Sequence, residues 1–159
     1  MVRLLSLLLL PMFAAAQASP QVERERFKDW NRVCTTQNEL TRCEAVQVLS
    51  VKQGEQDQPF LRATLTRVGA ERILELALPL GMDLRAGLVM QLDGAEEFTL
   101  GYTTCVPQGC ASVLPVSDEL MSGLKAGAKA KLGFRLFGTR QTQVVELSLS
   151  GFTAASAGI

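Results

Sequence analysis

Histidine is absent from all 159 residues. Its absence removes the commonest general base, the usual proton shuttle and the commonest metal ligand together, which weighs against most hydrolase and metalloenzyme designs. Net charge is absent too, because 16 basic and 16 acidic residues cancel. Bulk electrostatics therefore favour neither nucleic acid nor an anionic membrane surface. After the first residues no apolar run approaches the roughly 20 residues of a membrane-spanning helix. No internal repeat and no cofactor motif is present. What remains is a chain that is 47% apolar, enough for one domain with a core that needs neither metal nor oligomerisation.

The N-terminal stretch MVRLLSLLLLPMFAAAQA has one basic residue, Arg3, an apolar run from Leu4 to Leu10 continued by Met12 and Phe13, and small residues at Ala16 and Ala18. This is the three-part layout of a secretory signal peptide, with cleavage expected after Ala18. The competing reading, a membrane anchor, is disfavoured because the run is short and Pro11 interrupts it. No cysteine lies at the cleavage point, which argues against a lipid anchor. The expected layout is a signal peptide at 1–18, a flexible lead-in at 19–26, one domain at 27–153 and a disordered tail at 154–159.

Export changes how the four cysteines read. An even number in an oxidising compartment implies disulfides, and four admit three pairings. Closeness in sequence favours Cys34 with Cys43 and Cys105 with Cys110. Val106-Pro107-Gln108-Gly109 supports the second pair, since Pro presets a turn and Gly lets the chain leave it. A redox role for that pair is disfavoured, because four intervening residues on a strand turn are unlike a reactive Cys-x-x-Cys at a helix N-terminus. A four-cysteine zinc site is disfavoured by oxidation and by the spacing.

Alternation of apolar and polar side chains dominates the rest. Phe27 to Cys34 reads as a half-buried strand with Trp30, the only tryptophan, in the core beside the first disulfide. Thr35 to Arg42 reads as a polar loop, and Cys43 to Val51 as a strand. Gln53 to Pro59 has the composition of an exposed loop. Residues 60–78 read as a hairpin with Leu61, Ala63 and Leu65 facing Leu74, Leu76 and Leu78. Residues 87–102 read as a second, turning at Asp93-Gly94. Between Ser117 and Gly127 the period changes to that of a helix: Ser117 caps, Asp118 and Glu119 suit the positive end of the dipole, and Gly127 ends it. Strands resume at Ala130 to Phe137 and at Val145 to Leu149. Eight to nine strands with one short helix near 118–126 predict an all-β antiparallel sandwich, immunoglobulin-like in general form, with a closed barrel as the alternative.

Two groups of charged residues qualify as candidate sites. Asp93, Glu96 and Glu97 lie near one turn, where a paired-acid hydrolase site is conceivable, although neighbouring acids on a turn are more often solvated surface. Arg62, Arg67 and Arg72 flank the first hairpin, where they form either a basic binding strip or the ordinary polar face of two strands.

The ordered set Phe27-x-Asp29-Trp30, Cys34, Cys43, Gln47, Leu78 to Gly81, Gly87 to Gly94, Tyr102 to Cys105, Gly109-Cys110 and Leu149 to Ala154 resembles the invasion-associated locus B family of bacterial exported proteins. The likeness spans nearly all of the chain after the signal, except the stretch from Gln53 to Pro59. It implies a small periplasmic or envelope-associated β protein of alphaproteobacteria, named after a locus linked to invasion of host red cells. The family offers no agreed catalytic residue to carry over. It implies framework roles for Trp30 and the four cysteines and turn roles for the glycines. The combined expectation is a monomeric, non-enzymatic binding module of the periplasm or cell envelope, without cofactor or metal. Its expected partner is a protein or other envelope component. The alternatives are an envelope-polymer hydrolase and a purely structural envelope protein.

Overall fold

The computed structural model describes residues 19–159. The expected signal peptide lies outside the described residues. Eleven strands and two helices follow in order: β1 Gln21–Phe27, β2 Trp30–Gln37, β3 Leu40–Gln53, β4 Gln56–Val68, β5 Glu71–Leu78, β6 Leu88–Leu92, β7 Phe98–Leu100, β8 Thr104–Val106, β9 Gly109–Pro115, α1 Asp118–Ala126, β10 Lys129–Arg135, β11 Thr142–Ser148 and α2 Phe152–Ala155. A seven-stranded sheet runs β1-β2-β3-β4-β5-β9-β8, and a four-stranded sheet runs β11-β10-β6-β7. Every pairing is antiparallel. The expected all-β sandwich is therefore the fold.

The core lies between the two sheets and is built from the alternating residues. Leu61, Ala63 and Leu65 of β4 and Leu74, Leu76 and Leu78 of β5 are buried together with Leu88 and Met90 of β6 and Leu132 and Phe134 of β10. Helix α1 adds Met121 and Leu124. Its Ser117 cap forms as expected, accepting the Leu120 amide at 3.2 Å. Both disulfides also form as expected, and each joins residues directly opposite in a strand pair: Cys34 with Cys43 across β2–β3, and Cys105 with Cys110 across β8–β9.

Several boundaries need correction. Residues 21–27 are no frayed lead-in, because β1 pairs with β2 over seven positions. Its sequence QVERERF is almost wholly exposed, so no buried face existed to leave an alternating signature, and its charges suit a sheet edge that must resist further pairing. The strand expected from Phe27 to Cys34 is interrupted at Lys28-Asp29, where Lys28 takes a positive φ of 54°. The polar loop expected from Thr35 to Arg42 is mostly strand, closed by a two-residue turn at Asn38 and Glu39 with φ of 49° and 65°. Positive φ at both central residues is the conformation favoured in two-residue hairpin loops, because it matches the right-handed twist of the flanking strands. The loop expected at Gln53 to Pro59 is the tip of a β3–β4 hairpin that runs past its neighbours, from the Val48–Arg62 pair out to Gln53–Gln56. The tail is ordered: α2 forms, and Ile159 is buried.

Candidate functional site

The β10–β11 hairpin has two ends, and they differ in chemistry. At the Lys129/Ser148 end, Trp30 and Gln47 of the larger sheet and Asp29 of the β1–β2 turn reach across. The Trp30 indole donates to the Ser148 carbonyl at 2.8 Å. The Gln47 amide donates to the carbonyls of Asp29 at 3.1 Å and Ser148 at 3.0 Å, and its oxygen accepts the Ser148 amide at 3.1 Å. The Ser148 hydroxyl donates to the Asp29 carboxylate at 2.7 Å. Trp30 itself is fully buried, edge-on to Phe152 with centroids 4.9 Å apart. Arg32 stacks on Phe27 and donates to the carbonyls of Ala154 and Ala155, holding the C-terminus of α2. Gly151, at φ 92°, lies so close to the Phe27 carbonyl that an added Cβ would sit 1.9 Å from it. Every one of these polar groups has a partner, so this end is a fastening with no open valence for a ligand.

The other end, beyond Arg135 and Thr142, is open. The chain from Leu80 to Asp83 runs beside Arg135 to Phe137, tied by Asp83 N–H to the Arg135 carbonyl and Phe137 N–H to the Gly81 carbonyl, both at 2.8 Å. Two tight turns meet there, one at Gly81 with φ 96° and one at Gly138 with φ 79°. They carry Leu80, 55% exposed, and Phe137, 73% exposed. Beside them Phe60 packs on Phe134 with ring centroids 5.0 Å apart. A shallow depression of 360 Å³ opens against Pro59, Phe60, Leu78, Pro79 and Gln108. The disulfide-bonded turn reaches this same place, since Gly109 backs onto the Leu78 carbonyl so tightly that no side chain would fit. A larger concavity of 510 Å³ borders Thr35, Gln37, Asn38, Leu40 and Arg42. It is walled by a single exposed hairpin tip, so it can enclose little.

Beneath the open end lie polar groups that are incompletely paired. Asp83 is buried and accepts both the Arg85 amide and its guanidinium Nε at 3.3 Å. The Tyr102 hydroxyl and the Ser112 hydroxyl are buried without a hydrogen-bonding partner. Burial, with the Asp83 charge as a smaller contribution, pushes the Tyr102 phenol above its ordinary pKa.

The residues singled out from sequence fall elsewhere. Trp30 is core, as expected. The three arginines do not form one strip. Arg67 and Arg72 face each other across β4–β5, with Arg72 ion-paired to Asp118 of α1. Arg62 is at the middle of β4 and pairs with Glu44 at 3.1 Å. Strand alternation separates it further, because even and odd positions of β4 point to opposite faces. Asp93 does not pair with Glu96 or Glu97: its carboxylate accepts the amides of Ala128 at 2.6 Å and Lys129 at 3.1 Å, fixing the start of β10. Among the described residues no group of three or more acids or cysteines is arranged to hold a metal ion. Leu80, Val106 and Phe137 were missed. The available signal was apolar side chains at turn positions, for Val106 and Phe137 within long stretches without a carboxylate.

Comparison with known proteins adds a lineage. The family model described as "Invasion associated locus B (IalB) protein" matches residues 30–159. Over 133 residues the chain is 29% identical to the Invasion protein B homolog of Brucella abortus strain 2308, covering 83% of this chain and 76% of that protein. The homolog from Brucella abortus biovar 1, strain 9-941, matches to the same extent. Among solved structures, the crystal structure of invasion associated protein b from Bartonella henselae superposes with a TM-score of 0.69. That match has 19% identity and covers 84% of this chain and 91% of the other, a likeness of fold.

Proposed function

The chain belongs to the invasion associated locus B family, and from that premise we propose that it is an exported, non-catalytic binding module of the periplasm or cell envelope. The observation that carries this reading is the open end of the sandwich. It offers a shallow apolar depression and exposed apolar turns, the form of a contact surface, whereas catalysis on polymers calls for a cleft with converging acids. Export after cleavage at Ala18 accords with two disulfides, which persist where the surroundings are oxidising. The Brucella and Bartonella relatives are named for invasion. For this chain the corresponding molecular contribution is attachment to an envelope component.

The test is capture from an envelope extract with the purified, disulfide-intact protein as bait. The wild-type chain should retain a component that a Leu80→Ser/Phe137→Ser variant releases. Catalytic release of soluble fragments from envelope polymers, continuing past one bond per protein molecule, would instead establish the hydrolase.

A further inference from the structure

We infer that the open end of the sandwich docks on a lipid bilayer bearing anionic headgroups. This inference rests on the binding-module reading and names its occupant. Three turns converge there, and each presents apolar side chains at its tip: Leu80 beside Gly81, Leu136 and Phe137 before Gly138, and Val106 on the disulfide-bonded hairpin. Val106 is 50% exposed and Leu136 40%. Side chains at the tips of separate turns form a set of points, unlike a flat sheet face, and such points can sink individually between headgroups.

Charge selects the lipid. Between Phe98 and Pro115, and again between Lys129 and Val145, the chain contains no carboxylate. Of the acids nearest this end, Asp83 is buried under Arg85, and Asp57 on the β3–β4 arm pairs with Lys52 at 3.1 Å, leaving Glu55 exposed at the arm's tip. Against these stand Arg135 and Arg140, which form no ion pair among the described residues, beside Arg85, which is 86% exposed while engaged with Asp83. A net charge of zero for the whole chain thus conceals an end where cations surround exposed apolar groups. Guanidinium groups at that height meet lipid phosphates while their stems and the neighbouring Phe and Leu side chains lie in the interfacial region.

The experiment is sedimentation of the purified oxidised protein with vesicles of phosphatidylcholine alone and of phosphatidylcholine mixed with phosphatidylglycerol, at low and high salt. Expected are binding to the anionic vesicles that weakens with salt, a loss of about ten-fold or more in Leu80→Ser/Phe137→Ser, and about five-fold per charge removed in Arg85→Gln and Arg140→Gln. Each variant keeps the wild-type N-terminus, so any contribution from it cancels, and unchanged Trp30 fluorescence certifies the fold. Absence of binding to anionic vesicles, or equal binding by wild type and the double variant, overturns the inference. So does a wild-type dimer in sedimentation velocity that the double variant abolishes, because the occupant would then be a second copy. Patch-dependent capture of an envelope protein without vesicle binding would overturn the lipid while leaving the binding-module reading standing.

Discussion

The two ends of one hairpin, β10–β11, are treated oppositely by the rest of the chain. At the Ser148 end, Trp30, Gln47 and Asp29 hydrogen-bond the backbone and hydroxyl of Ser148, and the largest side chain of the protein is buried. At the Phe137 end an aromatic ring stands in solvent, and two buried hydroxyls go without partners. Full pairing in a water-poor setting gives rigidity, since any unpaired group there is costly. Tolerated exposure and unpaired groups mark a region where stability is not the main constraint. The closed end therefore belongs to folding, and the open end is where the proposed contact lies.

Substitutions should separate along this contrast. Trp30→Ala is expected to cost the most, about 4 kcal/mol, by leaving a cavity against Phe152 and removing one of the two side-chain donors to the Ser148 carbonyl. Urea unfolding followed by circular dichroism measures it. A loss under 1 kcal/mol would mean the closed end is not a fastening. Gly151→Ala comes next at about 3 kcal/mol, because the added Cβ collides with the Phe27 carbonyl and the positive φ disfavours any side chain. The same urea experiment read by Trp30 fluorescence decides it, and wild-type stability would show that the close approach relaxes freely. Gln47→Ala should cost about 2 kcal/mol by stripping partners from Asp29 and Ser148. Amide exchange should speed at Ser148, and an unchanged rate would argue against the bond.

The smallest effect is expected from Tyr102→Phe at the open end. Its hydroxyl has no partner, so stability at neutral pH should change by less than about 1 kcal/mol. Alkaline behaviour sharpens the test. The folded phenol has a pKa raised above the ordinary 10.0 by burial and then by Asp83, so folding favours its protonated form. The stabilisation is complete below pH 10.0 and drains away as pH rises through the folded pKa. Since the chain has a single tyrosine, tyrosinate absorbance reports this group alone. It should appear at higher pH in the native protein than in urea, and the associated alkaline loss should vanish in Tyr102→Phe. Coincident titrations would place Tyr102 in solvent.

Legibility in the sequence followed burial. Strands β4, β5 and β10 face the core on one side and water on the other, so their alternation was plain. Helix α1 announced itself through Ser117 and its change of period. Strand β1 and the β3–β4 arm are exposed on both faces, so no hydrophobic period could betray them, and their polar composition mimicked loops. The tail from Thr153 to Ile159 lacked any signal because small residues form α2 only when Arg32 and Phe27 are already beside it. Candidate acids and arginines drew attention by their chemistry, yet strand parity and backbone amides dispersed them.

Composition and short-range pattern alone determined an all-β domain with two local disulfides, because side-chain alternation, turn residues and cysteine spacing are local properties. The pairing of Cys34 with Cys43 and of Cys105 with Cys110 belongs with these, since each bridge closes a hairpin that its own residues specify. Only the tertiary structure decided which apolar residues stay in water. Leu80, Val106 and Phe137 are distant in sequence, and they stand at least half exposed among the described residues because each sits on or beside a turn at the end of its strand.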